Sequence, residues 1–210
     1  MAVHYRTQGF FIKKTDRGEN DRLLTIYTKD FGKLKILGRA IRKIGSKLKS
    51  GAELFCLSEV EFIQGKTQKT LTDVILLEDF PNIRQDFKKL KVVRQITETI
   101  DLFISKEEKD DQVWLLVSEV FDKLGDAQAK ISNTSLIYYY FFWNFVSILG
   151  YGPEFRDGSI NKAKIDCDTM KIVKVILKKD WGILSRLRIT PLHEKLLKNV
   201  SEWYTKKIIV

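Results

Sequence analysis

The sequence predicts an α+β chain of two domains, a five-stranded β barrel followed by an α-helical domain, on two observations. Short segments rich in β-branched and aromatic residues, separated by polar or glycine-containing turns, fill the chain to about residue 79. At Phe80-Pro81-Asn82 the composition shifts, and apolar residues thereafter recur at three- and four-residue steps. A length of 210 residues is enough for one large or two small domains with working cores. The expected boundaries are 1–79 and 80–210.

The first expected strand, Tyr5 to Lys14, carries Gly9 as a bend or bulge. Thr15 to Asp21 is a turn cluster, Arg22 to Thr28 a second strand, and Lys29-Asp30-Phe31-Gly32 a short hairpin connection. Lys33 to Arg39 alternates, with Leu34 and Ile36 on one face and Lys33, Lys35, Leu37 and Arg39 on the other. Between Ala40 and Gly51 the periodicity breaks at Gly45-Ser46, which reads as a mobile loop with one helical turn. Leu54 to Gln64 and Thr70 to Leu77 complete five strands, the number of an oligonucleotide-binding (OB) barrel.

Helical spacing then predicts a helix from about Ile83 to Ile104, with Phe87, Leu90, Val93, Ile96, Ile100 and Phe103 along its buried stripe. A second runs from about Gln112 to Leu124, with Gly125 at its C-terminal cap. The third, capped from within Ser132 to Thr134 and ending at Gly150, is apolar nearly all round and is expected at the centre of a bundle. After an irregular stretch from Tyr151 to Asp166, helices are expected at Cys167 to Lys178 and Asp180 to Leu187. The last follows the capping pair Thr190-Pro191 and carries Leu192, Leu196, Val200, Trp203 and Tyr204 on its buried side.

The window Phe31 to Ala52 contains Lys33, Lys35, Arg39, Arg42, Lys43, Lys47 and Lys49 and no carboxylate. With a net charge of +10 and a pI near 9.5, the chain favours a polyanionic partner. Membrane signals are missing: the most apolar run, Leu136 to Leu149, is shorter than the roughly 20 residues a spanning helix needs and contains Asn144. The start, MAVHYRTQGFF, has no secretory pattern, and a cytoplasmic location is the default. A row of lysines on one strand and a basic loop beside it are suited to a phosphodiester backbone, and Tyr27 and Phe31 are candidates to stack on bases. The competing readings are a solvated surface loop for the basic run and ordinary core packing for the two aromatics.

Catalysis finds little support. His4 and His193 have no nucleophile or ligand near them in sequence, and no glycine-rich phosphate loop or dinucleotide motif is present. Asp16, Glu19 and Asp21 share a turn where acidic residues are habitual, although such a cluster can hold a divalent ion. Cys56 and Cys167 are too few for a disulfide framework or a zinc site and read as buried or free thiols. The chain is expected not to be an enzyme and to carry no cofactor.

Several segments in order carry a family pattern: Gly9-Phe10-Phe11-Ile12, then Gly18-Glu19-Asn20-Asp21-Arg22-Leu23-Leu24, then Tyr27-Thr28 and Phe31-Gly32-Lys33-Leu34. Gly38-Arg39-Ala40-Ile41-Arg42-Lys43 and Ser46-Lys47-Leu48 continue it, and Leu149-Gly150-Tyr151-Gly152-Pro153 matches a Gly-Tyr-x-Pro after the central helix. In these residues the chain resembles the RecO family of bacterial DNA repair and recombination mediators, more thinly after residue 80. The resemblance implies an OB barrel that binds single- and double-stranded DNA and anneals complementary strands. It also implies contacts with RecR and with the C-terminal tail of single-strand-binding protein, so that RecA loads, at a nucleoid-associated site in the bacterial cytoplasm. Many members hold zinc with four cysteines after Gly-Tyr-x-Pro. Here Glu154 to Asp168 contains only Cys167, so no zinc is expected and packing through Phe155 is expected to hold the loop instead. Two other functions fit the same residues: an RNA-binding OB protein, and a protein adaptor acting through its helical domain.

Overall fold

Strand β1 (His4–Arg17) is long enough to serve two neighbours. Its first half pairs with β4 (Leu57–Gln64) and its second half with β2 (Asp21–Thr28), both antiparallel. The strand passes from one ladder to the other around Gly9 and Phe10, which have partners in both. A Cβ on Gly9 would lie 2.6 Å from the Ile26 side chain, so the close approach there requires glycine. The register shift comes just beyond, between Phe11 and Lys13, and supplies the bend that closure needs. β3 (Gly32–Gly38) pairs with β2, and β5 (Lys69–Glu78) with β4. A parallel contact, Ile36 with Lys69 and Leu37 with Thr70, closes the barrel in the order β1-β2-β3-β5-β4.

This computed structural model describes residues 3–105, 107–127, 133–153 and 166–209. It divides into two compact units, Met1–Pro81 with Thr97–Trp114, and Asn82–Ile96 with Leu115–Val210.

In the first unit Phe11, Leu24, Ile26, Leu34, Ile36, Val60, Phe62 and Leu71 fill the barrel. A second apolar layer lies on its outer side, where Phe10 and Tyr27 meet Trp114 at ring separations of 5.3 and 6.4 Å. Segment 97–114 thus belongs to the barrel's packing. The stretch between Ala40 and Gly51, expected as a mobile loop, is pinned at its start: the Ala40 amide donates to Asp21 Oδ1 (2.7 Å) and the Arg42 amide to the Asn20 carbonyl (3.0 Å). Successive three-residue turns, Lys43 to Ala40, Ser46 to Lys43 and Lys49 to Ser46, lead into the single helical turn α1 (Leu48–Gly51). Strand β4 starts at Leu57, not at the expected Leu54. Phe55, at φ +65°, turns the chain so that its amide donates to the Phe11 carbonyl (2.9 Å).

The long helix expected from Ile83 is in fact two, the turn α2 (Pro81–Arg84) and α3 (Phe87–Phe103). Asp86 makes the break. Its carboxylate accepts from the Lys88 amide at 2.8 Å, capping α3, and Phe87 in the first turn is 80% exposed instead of buried.

The second unit is built on α5 (Ser135–Ile148), of which Leu136, Ile137 and every residue from Tyr139 to Val146 are buried. Its cap is Asn133, whose Oδ1 accepts from the Ser135 amide (3.0 Å), while Thr134 makes no capping bond. α6 (Cys167–Leu177) and α8 (Pro191–Ile209) pack on α5, and α7 (Trp181–Arg186) lies against α6. Several polar groups inside this bundle are paired, while the Trp143 indole nitrogen and the Thr169 hydroxyl meet no partner among the described residues. Tyr140 donates to Glu119 Oε2 (3.0 Å), Trp181 donates to the other oxygen of the same carboxylate, and Asn144 donates to the Tyr140 carbonyl (2.9 Å). Glu119 belongs to α4 (Asp111–Gly125), whose C-terminal carbonyls accept from Asn82 and Lys89. In α8 the buried residues are Leu197, Val200, Ser201 and Tyr204; Leu192, expected inside, is 61% exposed in the first turn. Among the described residues no helix is long and apolar enough to cross a membrane.

Candidate nucleic-acid interface

The structure separates the basic residues of the Phe31 to Ala52 window into two groups. Lys35 on β3, then Arg39, Lys43, Lys47 and Lys49 on the following turns, are exposed, and among the described residues none forms an ion pair. Arg42 is exposed too, but it is half spent. It donates to the Gly18 carbonyl (3.2 Å) and lies 3.5 Å from Asp16. Asp16 also takes Arg22 at 2.6 Å, and the Arg22 guanidinium holds its carboxyl below the ordinary carboxylate range. The turn acids therefore serve the fold: Asp16 pairs with arginines, and Asp21 caps the chain at Ala40.

Two expected site residues are corrected. Lys33 is only 8% exposed, because α3 brings Asp101 over it. Its ammonium donates to the Asp101 carbonyl (2.6 Å) and Oδ1 (3.1 Å), while Lys13 takes Oδ2 (2.8 Å). A cation so enclosed has no path to a phosphate. Tyr27 is fully buried beneath Trp114, and its hydroxyl meets no partner among the described residues. Burial, then the charges of Asp110 and Asp111, push its phenol pKa up. It is a packing residue. Phe31 is half-buried, its ring edge-on to Tyr5 (5.8 Å) and Phe62 (5.6 Å). It lines the rim of the core more than a stacking platform.

One residue absent from the expected site stands out. Ile44 is 99% exposed between Lys43 and Lys47, an apolar tip on a cationic turn. Ile41, Ile44 and Leu48 keep a helical spacing in the sequence, yet of the three only Ile41 is buried.

The Asp101 clamp makes a testable stability feature. Burial pushes the Asp101 carboxyl up, but hydrogen bonds from Lys13 and Lys33 outweigh it and the net direction is down. A carboxylate depressed in the folded state contributes stability above its unfolded pKa and loses it as pH falls through the folded value. Asp101→Asn, which leaves Lys33 buried and half-paired, is expected to cost roughly 2–3 kcal/mol near neutrality in urea unfolding. The difference from wild type should close in acid, below the usual carboxylate range.

Among the described residues one group has metal-ligand spacing, Asp166, Asp168 and His193. Each carboxylate already has work: Asp166 caps α6 through the Thr169 amide (3.1 Å), and Asp168 pairs with Lys171 (2.8 Å). This is no four-thiolate zinc site; Cys167 is exposed, Cys56 is buried, and neither is in a disulfide. The stretch from residue 154 to 165, with the packing expected of Phe155, lies outside the described residues.

A closed five-stranded barrel in this order, with a cationic strand and turns at one side, is a barrel of the OB type. Residues 1–80 match the family model described as "Recombination protein O N terminal", and residues 84–170 match "Recombination protein O C terminal". The chain belongs to the RecO family. Among its relatives, a DNA repair protein RecO of Dehalococcoides mccartyi is 29% identical over 154 residues, covering 73% of this chain and 59% of that protein. The Moorella thermoacetica protein of the same name is 30% identical over 131 residues, or 62% of this chain and 49% of the relative. That of Trichodesmium erythraeum is 24% identical over 211 residues, covering 97% and 73%. The match to the Dehalococcoides relatives thus spans about three-fifths of their length.

Proposed function

We propose that this chain is a non-enzymatic, DNA-binding mediator of recombinational repair in the bacterial cytoplasm. The observation that carries the reading is the set Lys35, Arg39, Lys43, Lys47 and Lys49: exposed, without ion pairs among the described residues, and placed on one strand and its following turns in an OB-type barrel. Such a surface neutralises phosphates and releases counterions, which lets two like-charged strands approach and anneal without nucleotide hydrolysis. The names of the relatives support the repair role. By family, the proposal extends to RecR and the C-terminal tail of single-strand-binding protein as partners, to RecA loading as the outcome, and to a chain that works without zinc.

The test is a salt titration of labelled single-stranded DNA. Affinity should fall log-linearly with salt, with a slope of roughly −0.7 for each phosphate neutralised. Binding that is salt-independent overturns the proposal. An RNA oligonucleotide of the same sequence that competes more strongly than the DNA transfers the function to RNA.

A further inference from the structure

Behind the exposed cations, a shallow recess with no room left for a free water molecule lies between β1, β2 and the turn leading out of α1. Lys14, Arg22, Lys49 and Glu53 line it above an apolar floor that includes Leu24 and Ile41. Both floor residues are buried, at 0% and 3% exposure. Lys14 and Glu53 are paired at 2.9 Å, but unequally: the lysine side chain is 12% exposed and the glutamate 44%. The lysine is fixed within the recess. The glutamate reaches it from the solvent side.

We propose that Lys14, Arg22 and Lys49 form a seat for one backbone phosphate, and that the Glu53 carboxylate occupies this seat as a surrogate anion when no nucleic acid is bound. The inference rests on the DNA-binding reading above and assigns to it a position outside the Phe31 to Ala52 window. Its physical basis is that a buried ammonium must be balanced by an anion, and a phosphodiester oxygen can replace a carboxylate oxygen charge for charge. Burial draws the Lys14 pKa down even with Glu53 in place, which marks how strongly the site depends on its counter-ion. Glu53 can leave by side-chain rotation alone. Two residues on, the chain is tied to β1 by the Phe55 amide on the Phe11 carbonyl (2.9 Å), so the backbone stays while the carboxylate turns to water. A phosphate entering from solvent gains Lys14 from Glu53, meets Lys49, which has no ion pair among the described residues, and meets Arg22, which is held from behind through its Nε by Asp16.

On this arrangement Glu53 competes with DNA, and removing its charge should strengthen binding. The experiment is a double-mutant cycle of Glu53→Gln and Lys14→Gln, read by labelled single-stranded DNA binding at fixed moderate salt, with thermal melts to establish folding. Glu53→Gln in the wild-type background should tighten binding by about three- to tenfold. In the Lys14→Gln background the same change should do less than about twofold. If Lys14→Gln does not fold, Lys49→Gln replaces it in the cycle, and the gain should shrink there as well. An unchanged or weaker affinity for folded Glu53→Gln overturns the phosphate seat and leaves a structural ion pair. An equal gain in both backgrounds overturns it too, since that is the general effect of removing one negative charge. If wild-type protein itself shows no salt-dependent binding, it is the DNA-binding reading that fails.

Discussion

Reversing Lys35, Arg39, Lys43 and Lys47 to glutamate is expected to weaken single-stranded DNA binding by about a hundredfold or more at low salt. Each of the four is exposed and, among the described residues, outside any ion pair, so its field reaches solvent uncancelled. If each neutralises one phosphate, the log-log salt slope should flatten by about 2.8, from roughly 0.7 per lost contact. The fold should tolerate the change, because surface substitutions away from pairs and caps usually stay within about 0.5 kcal/mol each. Fluorescence anisotropy across a salt series, beside a thermal melt, reads both quantities. A folded variant with the wild-type slope would place the site elsewhere on the molecule. Ile44 offers a finer probe of the same surface, since its exposed side chain lies between two of these lysines.

Most of the barrel was legible because its signals are local. Alternation and turn residues place β2, β3 and β5 to within one residue at either end, whereas the bulge in β1 falls between Phe11 and Lys13, beyond the glycine at position 9. The site was less legible because burial on the outer face of β3 is decided from far along the chain. Lys33 and Lys35 are chemically alike and on the same face, yet Asp101, 68 residues beyond Lys33, covers one and leaves the other. Trp114 does the same to Tyr27. The window free of carboxylates in sequence is likewise not free of them in space, because Asp16 from β1 reaches Arg42 and Asp101 from α3 reaches Lys33. Among the helices, the errors gather in first turns. Phe87 and Leu192 continue an apolar period, but each lies where its helix begins, and both are exposed.

The largest stability effect is expected at Gly32, where two separate requirements meet. Its φ of +63° is a left-handed conformation that costs any L side chain about 1–2 kcal/mol. A Cβ there would also lie 2.1 Å from the Glu108 carbonyl oxygen and 2.9 Å from the Glu108 nitrogen, backbone atoms that no rotamer change can move. Thr28 holds the turn from the other side, its hydroxyl donating to the Gly32 carbonyl at 2.8 Å and accepting from the Phe31 amide at 3.2 Å. Gly32→Ala should therefore lose about 3–4 kcal/mol, the backbone cost plus that of forcing an extra methyl into packed structure. Gly18 isolates the first term. It has the same φ of +63°, and a methyl there would meet nothing within 4 Å, so Gly18→Ala should lose only about 1 kcal/mol. Urea midpoints at constant m-value give both numbers, and their difference measures how tightly segment 97–114 is pressed onto the β2–β3 turn. Equal losses at the two glycines would mean that Glu108 yields without resistance. The acidic segment that covers Lys33 and Tyr27 would then be loosely held, and those two residues would regain a route to the nucleic acid.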